Sequence, residues 1–259
     1  MTGAPRDPWA RLGTWTPARI ALGRAGASLP TREVLSFALA HARARDAVHA
    51  RLDLAALASD LKLLGLTSVE ASSMARDRVT YLRRPDLGRQ LDHASQDRLT
   101  VHRGDGCDLV VLIGDGLSAT AVAANAVPLM SALLPLLRKL ELKLGAVVIA
   151  QNARVALGDA VGVSLGARLV AVLIGERPGL SAADSLSVYL TYAPRAGRTD
   201  AERNCISNIR ADGLTPEAAA INLSWLISAA MEMKLTGVSL KDRSVAVRAT
   251  SEHLAGQGK

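Results

Sequence analysis

Three short polar loops stand directly behind apolar runs, and their residue types suit polar ligands. Gly114-Asp115-Gly116-Leu117-Ser118 follows the run Asp108–Ile113. Asn152-Ala153-Arg154-Val155 follows Ala146–Ala150, and Gly175-Glu176-Arg177-Pro178-Gly179 follows Leu169–Ile174. If the runs are parallel strands, all three loops share the carboxyl edge of one sheet. Open α/β sheets bind ligands there, and helix N-termini offer N–H groups to anions and polar acceptors. The first loop is neither GxGxxG nor GxxxxGK[ST]. A tight turn in which Asp115 or Ser118 caps the next helix explains it as well as a ligand loop does. Glu176 and Arg177 cost desolvation so close to a buried strand unless something pairs with them. A local ion pair and a binding crevice both satisfy that requirement.

A fourth segment, Arg203-Asn204-Cys205-Ile206-Ser207-Asn208-Ile209-Arg210, is dense in polar side chains around two isoleucines. Cys205 has no His and Asn/Asp signature that would make it a nucleophile, so its default is a small buried hydrophobe. His41 and His49 lie two turns apart on one expected helix, while His93, His102 and His253 are isolated. None has the HExxH spacing or another metal-ligand spacing, and no hydrolase triad is apparent.

The elements that must position these loops follow from periodicity. The three runs read as strands buried on both faces. Ala119–Leu144 reads as a helix with kinks at Pro128 and Pro135, and Val155–Gly166 as a second. Leu186, Val188, Leu190 and Tyr192 alternate with polar residues, as a further strand would. Thr215-Pro216-Glu217 starts a helix with Pro at its first position, running through Met233 to about Gly237. Upstream, a helix capped by Thr31 is expected to run to Leu64 and stop at Gly65. Val69–Leu82 is expected as another helix, ended before Pro85, and Pro85–Leu99 as a polar connection. The expected fold is α/β: a Rossmann-like, mostly parallel sheet with helices on both faces, preceded by a helical N-terminal region. The expected divisions are 1–100 for that helical, subunit-packing region, 101–245 for the α/β unit, and 246–259 for a polar tail.

Composition narrows the function classes. The chain has 259 residues, 49% hydrophobic and 21% charged, the balance of a folded globular protein. Cys107 and Cys205 cannot build a disulfide scaffold or a CxxC zinc site. Met1–Thr16 carries Arg and Pro where a signal peptide needs an apolar run. Ala146–Ala150 and Leu169–Gly175 fall far short of the roughly 20 residues a membrane span needs. A soluble, cytoplasmic protein without a membrane partner is therefore expected. The net charge of +7 comes from scattered Arg residues, with few aromatics between them to stack bases. That pattern suits a solvated basic surface or one facing an acidic partner subunit, rather than a nucleic-acid site.

Taken together, several segments resemble the small (light) subunit of ethanolamine ammonia-lyase. They are Thr16–Gly26, Leu39–His49, Arg83-Arg84-Pro85-Asp86-Leu87-Gly88-Arg89, Asp115–Ala119, Gly175–Leu180, Tyr192-Ala193-Pro194-Arg195 and Asn204–Ile209, all in the family's order. The resemblance spans roughly Pro17 to Gly237. It implies adenosylcobalamin-dependent radical conversion of ethanolamine to acetaldehyde and ammonia. It also implies a large-subunit partner that holds the substrate, in a hetero-oligomer with several copies of each chain. This chain would cap and position the cobalamin, with no catalytic side chain of its own. The implied cofactor contacts are Val155, Glu176 and Cys205, and Asp115 and Ser118 are left as further candidates. The sequence lacks the Asp-x-His-x-x-Gly pattern of domains that put a protein His on cobalt. The cofactor is therefore expected base-on, which the family also implies. Only a short segment precedes Thr16, which favours plain cytoplasm over packaging in a bacterial microcompartment. The rival expectation is a stand-alone nucleotide-binding α/β enzyme that uses the same strand-end crevice.

Overall fold

Leu109, Val110, Val111, Leu112 and Ile113 are all fully buried, which requires a strand covered on both faces. They form β2 (Cys107–Gly114) in a six-stranded sheet. The other strands are β1 (Ser68–Ser72), β3 (Leu144–Gln151), β4 (Ala167–Gly175), β5 (Leu186–Tyr192) and β6 (Asn204–Ile209). The structure, a computed structural model, describes residues 8–16 and 18–241. The expected tail, 246–259, lies outside the described residues.

Strand order is β1-β3-β2-β4-β5-β6. β1, β3, β2 and β4 run parallel, whereas β5 and β6 are antiparallel additions. The sheet is thus mixed: β1 to β4 meet the mostly parallel, Rossmann-like expectation, and β5 and β6 depart from it. The physical reason is connection length. Parallel neighbours need a crossover of a dozen or more residues, usually a helix, and the 176–185 link between β4 and β5 contains neither.

The N-terminal expectations need more revision. The helix expected from Thr31 to Leu64 is two helices, α1 (Thr31–His49) and α2 (Leu54–Leu63). The second restarts where Asp53 accepts a hydrogen bond from the Ala56 N–H at 3.0 Å. The N-cap of α1 is Pro30, which makes no side-chain cap, so Thr31 does not cap the helix but opens it. The helix expected over Val69–Leu82 is β1 followed by α3 (Arg78–Arg83). Only Val69 and Ala71 of β1 are buried, a period of two rather than 3.6. The stretch Pro85–Leu99 contains α4 (His93–Val101), capped by Asp92 through the Ser95 N–H at 2.6 Å. The sheet therefore reaches back to residue 68.

Two cores flank the sheet. On one face α2, α5 (Ala119–Lys139) and α7 (Pro216–Met233) bury Leu, Val, Ile and Ala against alternate residues of β2 to β6. α5 is long and apolar enough to cross a membrane by length and composition, but Val122, Leu129, Met130 and Leu133 on it are fully buried in this core. On the other face α4 and α6 (Leu157–Leu165) cover β1, β3, β2 and β4. Ser187, Tyr189 and Thr191 of β5 lie on that second side, Ser187 and Thr191 buried, while Leu186, Val188 and Leu190 enter the first core.

Candidate functional site

The second face leaves a cleft of about 940 Å³ between α6, the 89–91 turn, Tyr189 and the 196–200 loop. Each wall is held by its own contacts. The 196–200 loop is pinned from below by Arg203, whose side chain is fully buried. Arg203 meets Asp159 of α6 in a two-bond pair, Nη1–Oδ1 at 2.8 Å and Nη2–Oδ2 at 2.6 Å. It also donates to Thr191 Oγ1 at 2.8 Å and to the Arg198 carbonyl at 3.2 Å. Glu202 adds a capping box, accepting from the Thr199 N–H at 2.8 Å, and pairs with Arg198. The Thr199 N–H first, then Arg198, hold the Glu202 carboxyl down at about 2.

The 86–91 turn is drawn in by Tyr81, which is completely buried and donates its hydroxyl to the Ala153 carbonyl at 3.0 Å. The Arg154 guanidinium stacks on the Tyr81 ring, 4.3 Å from its centroid, and the Arg154 main-chain N–H donates to the Gly88 carbonyl at 2.8 Å. A Cβ on Gly88 would stand 2.9 Å from Arg154 Cγ and 3.0 Å from the Tyr81 ring. Glycine is required for that approach. Burial raises the Tyr81 hydroxyl well above its ordinary range, so it stays a donor.

Val155 follows β3 and lines the cleft beside Tyr189. Glu176, just beyond β4, does not pair with Arg177. It accepts from the Ser187 hydroxyl and from the Asn208 N–H at 2.9 Å. Cys205 lies on β6, cross-strand from Tyr189, and its side chain is exposed. Desolvation raises its thiol pKa, against hydrogen bonds with Tyr189 and Ser187 that lower it, and the Glu176 charge adds to the rise, so it is a neutral thiol near pH 7. Burial and the nearby Cys205 push the Tyr189 hydroxyl up to about 12. Glu176 and Cys205 do not line the cleft itself. They sit on the adjoining surface of β5 and β6, and Tyr189 joins the two areas. The fourth segment, unexplained by periodicity, is the polar edge strand β6.

The loop Gly114–Ser118 has other work. Ser118 caps α5, accepting from the Ala121 N–H at 3.1 Å, and donates to the Ala183 carbonyl at 2.7 Å. Gly116 takes a left-handed conformation, and a Cβ there would meet the Gly175 carbonyl. Asp115 is buried, accepting from Arg78 at 3.2 Å and from the Ala153 N–H at 3.1 Å. Neither Asp115 nor Ser118 lines the large cleft. Asp115 borders a separate pocket of about 110 Å³. Sequence reasoning missed Arg154, Gly88, Tyr189 and the Asp159–Arg203 pair. Gly88 and Arg154 did lie in segments already singled out, but their contact joins positions far apart in the chain.

A carbon skeleton edged with amides needs acceptors, donors and apolar contact, and this face supplies each kind. Glu176 is an acceptor, the Val155 and Ala156 N–H groups donate to no main-chain carbonyl among the described residues, and Val155, Tyr189 and Cys205 offer packing. No group of three metal-ligating side chains occurs among the described residues, and none of the described His residues lines the cleft.

Fold and cleft define an α/β subunit with one closed face and one open, polar-edged face. Residues 6–241 match the family "Ethanolamine ammonia-lyase light chain (EutC)", and the chain belongs to it. It is 58% identical over 241 residues to the ethanolamine ammonia-lyase small subunit of Bradyrhizobium diazoefficiens, covering 93% of this chain and 92% of that one. The Rhodopseudomonas palustris small subunit is 57% identical over 236 residues, covering 91% and 90%. That of Azotobacter vinelandii is 50% identical over 248 residues, covering 95% and 92%. A small subunit implies a large-subunit partner, and the chain is accordingly part of an ammonia-lyase complex.

Proposed function

We propose that this chain positions adenosylcobalamin against the large subunit of an ethanolamine ammonia-lyase, which converts ethanolamine to acetaldehyde and ammonia. The observation that carries the reading is the open face, where Val155, Tyr189, Cys205 and Glu176 form one continuous surface beside a cleft of about 940 Å³. The bound cofactor supplies the radical that starts the rearrangement. The chain's own residues bind and orient it. Glu176, held by Ser187 and Asn208, would offer its remaining lone pairs to the cofactor's amide N–H groups. Val155 and Cys205 would pack against the macrocycle and exclude water. No described His lines the cleft, so the cofactor would be held base-on, keeping its own dimethylbenzimidazole.

The partner docks on the N-terminal region as well as around the cofactor. Trp15, Leu29, Leu35, Phe37 and Leu39 are between 48% and 84% exposed, and of α1 only Ala47 is buried. Apolar side chains grouped with so little cover need a partner surface. The proposed assembly is a cytoplasmic hetero-oligomer with several copies of each chain.

The test is acetaldehyde formation from ethanolamine and adenosylcobalamin by this chain alone, the large subunit alone, and the two co-expressed. Activity only in the co-expressed sample is expected. Activity of this chain alone would sink the subunit reading in favour of a stand-alone enzyme. Cob(II)alamin EPR should show benzimidazole-nitrogen coupling, and coupling to a histidine nitrogen of this chain would refute the base-on assignment.

A further inference from the structure

Five charged groups line the cleft: Arg89, Arg154, Arg198, Asp159 and Asp200. Asp159 is neutralised by Arg203, and Arg198 by Glu202. Asp200 is 88% exposed and lies 3.6 Å from Arg203 Nε. That leaves Arg89 and Arg154. Among the described residues neither forms an ion pair, and Arg89 makes no hydrogen bond from its side chain. Arg154 makes one long contact, Nη2 to the Tyr81 carbonyl at 3.5 Å, and its Nε is buried with no acceptor. A guanidinium clamped on an aromatic ring and bonded to so little is an incomplete arrangement.

The main chain beside it points the same way. The N-cap of α6, Ala156, has no side-chain cap, and the Val155 and Ala156 N–H groups find no acceptor among the described residues. The helix therefore brings the positive end of its dipole and free donors to the place where Arg154 already sits.

Resting on the cobalamin reading, we infer that Arg154, Arg89 and the first turn of α6 form an anion subsite. Its occupant is the phosphodiester of the cofactor's nucleotide loop. A phosphodiester carries one negative charge and two free oxygens, which matches one guanidinium fork plus N–H donors. The subsite would hold the tail of the cofactor while Val155, Glu176 and Cys205 address the ring. Tyr81 and Gly88 fix the Arg154 rotamer in advance, so little ordering is left to the moment of binding.

The experiment uses the assembled complex, titrated by absorbance with hydroxocobalamin and with cobinamide, which lacks the phosphodiester and nucleotide. Arg154→Gln is expected to weaken hydroxocobalamin binding about 10- to 100-fold while leaving cobinamide affinity unchanged. Arg154→Lys should recover part of the loss. Arg89→Gln, on an exposed side chain, should show the same pattern more weakly, and it carries the comparison if Arg154→Gln does not assemble. Equal losses for both corrinoids, or none, would overturn the subsite. If the wild-type complex binds neither corrinoid, the cofactor reading fails separately. Inorganic phosphate then decides by 31P line broadening. Broadening that Arg154→Gln abolishes keeps the anion subsite with a free phosphate as occupant, and no broadening removes the subsite too.

Discussion

The two faces of one sheet are built by opposite rules. Leu186, Val188 and Leu190 of β5 enter a dry aliphatic core under α5 and α7, while Ser187, Tyr189 and Thr191 of the same strand hold polar partners on the other side. The helices of the second face are α4 and α6, whose buried residues pack on β1 to β4. Over β5 and β6 their place is taken by loops and ionic contacts. Over β5 and β6 the closed face is held by apolar packing, and the open face uses charge to hold loops where a ligand can reach them.

If that division is right, the largest effect on the open side comes from Arg203. Arg203→Met strands Asp159 in a buried position, and breaking such a pair costs about 3–5 kcal/mol. Urea unfolding should show the loss, and corrinoid affinity should fall with it, because the same pair ties the 196–200 wall to α6. A loss of stability with unchanged affinity would separate the pair from the cleft.

Next comes Leu190→Ala, one residue from Tyr189 but facing the other core. It should cost about 2–5 kcal/mol in the same assay, with corrinoid affinity of the remaining folded complex unchanged. A comparable drop in affinity would mean that the two faces are not independent.

The smallest effect is the pH response of Glu202. Its folded carboxyl titrates at about 2 against the usual 4.5. The stability it contributes is therefore complete above pH 4.5 and is lost as pH falls towards 2. Hydrogen-exchange protection of the Thr199 amide should fall over that window. In Glu202→Gln, whose amide oxygen still accepts from the Thr199 N–H but does not titrate, the fall should disappear. The same fall in the variant would show that the wall is held by Arg203 alone.

The same contrast explains what the sequence revealed. β2, β3 and β4 are readable because both faces are covered and the runs are continuous. β5 is readable because one face is apolar and the other polar. β1 was mistaken for helix because two buried residues, Val69 and Ala71, are too few to set a period. β6 was hidden because Asn204, Ser207 and Asn208 keep an edge strand polar. At the site, Val155 and Glu176 fall at strand ends that the apolar runs announce. The pairing of Asp159 with Arg203, 44 residues apart, and the seating of Arg154 on Tyr81 leave no local pattern, since each depends on how distant elements pack.

The pairing of β1 with β3 also has a consequence for the order of synthesis. Ser68–Ser72 leaves the ribosome well before its partner, Leu144–Gln151, has been made. At about 5–20 residues per second, the early strand waits several seconds without a neighbour. During that time its exposed edge is a template for the wrong chain. Glu70, exposed in the middle of the strand, places a charge where a second copy would otherwise pair, so this outer strand is guarded during translation by a residue that contributes nothing to the finished core.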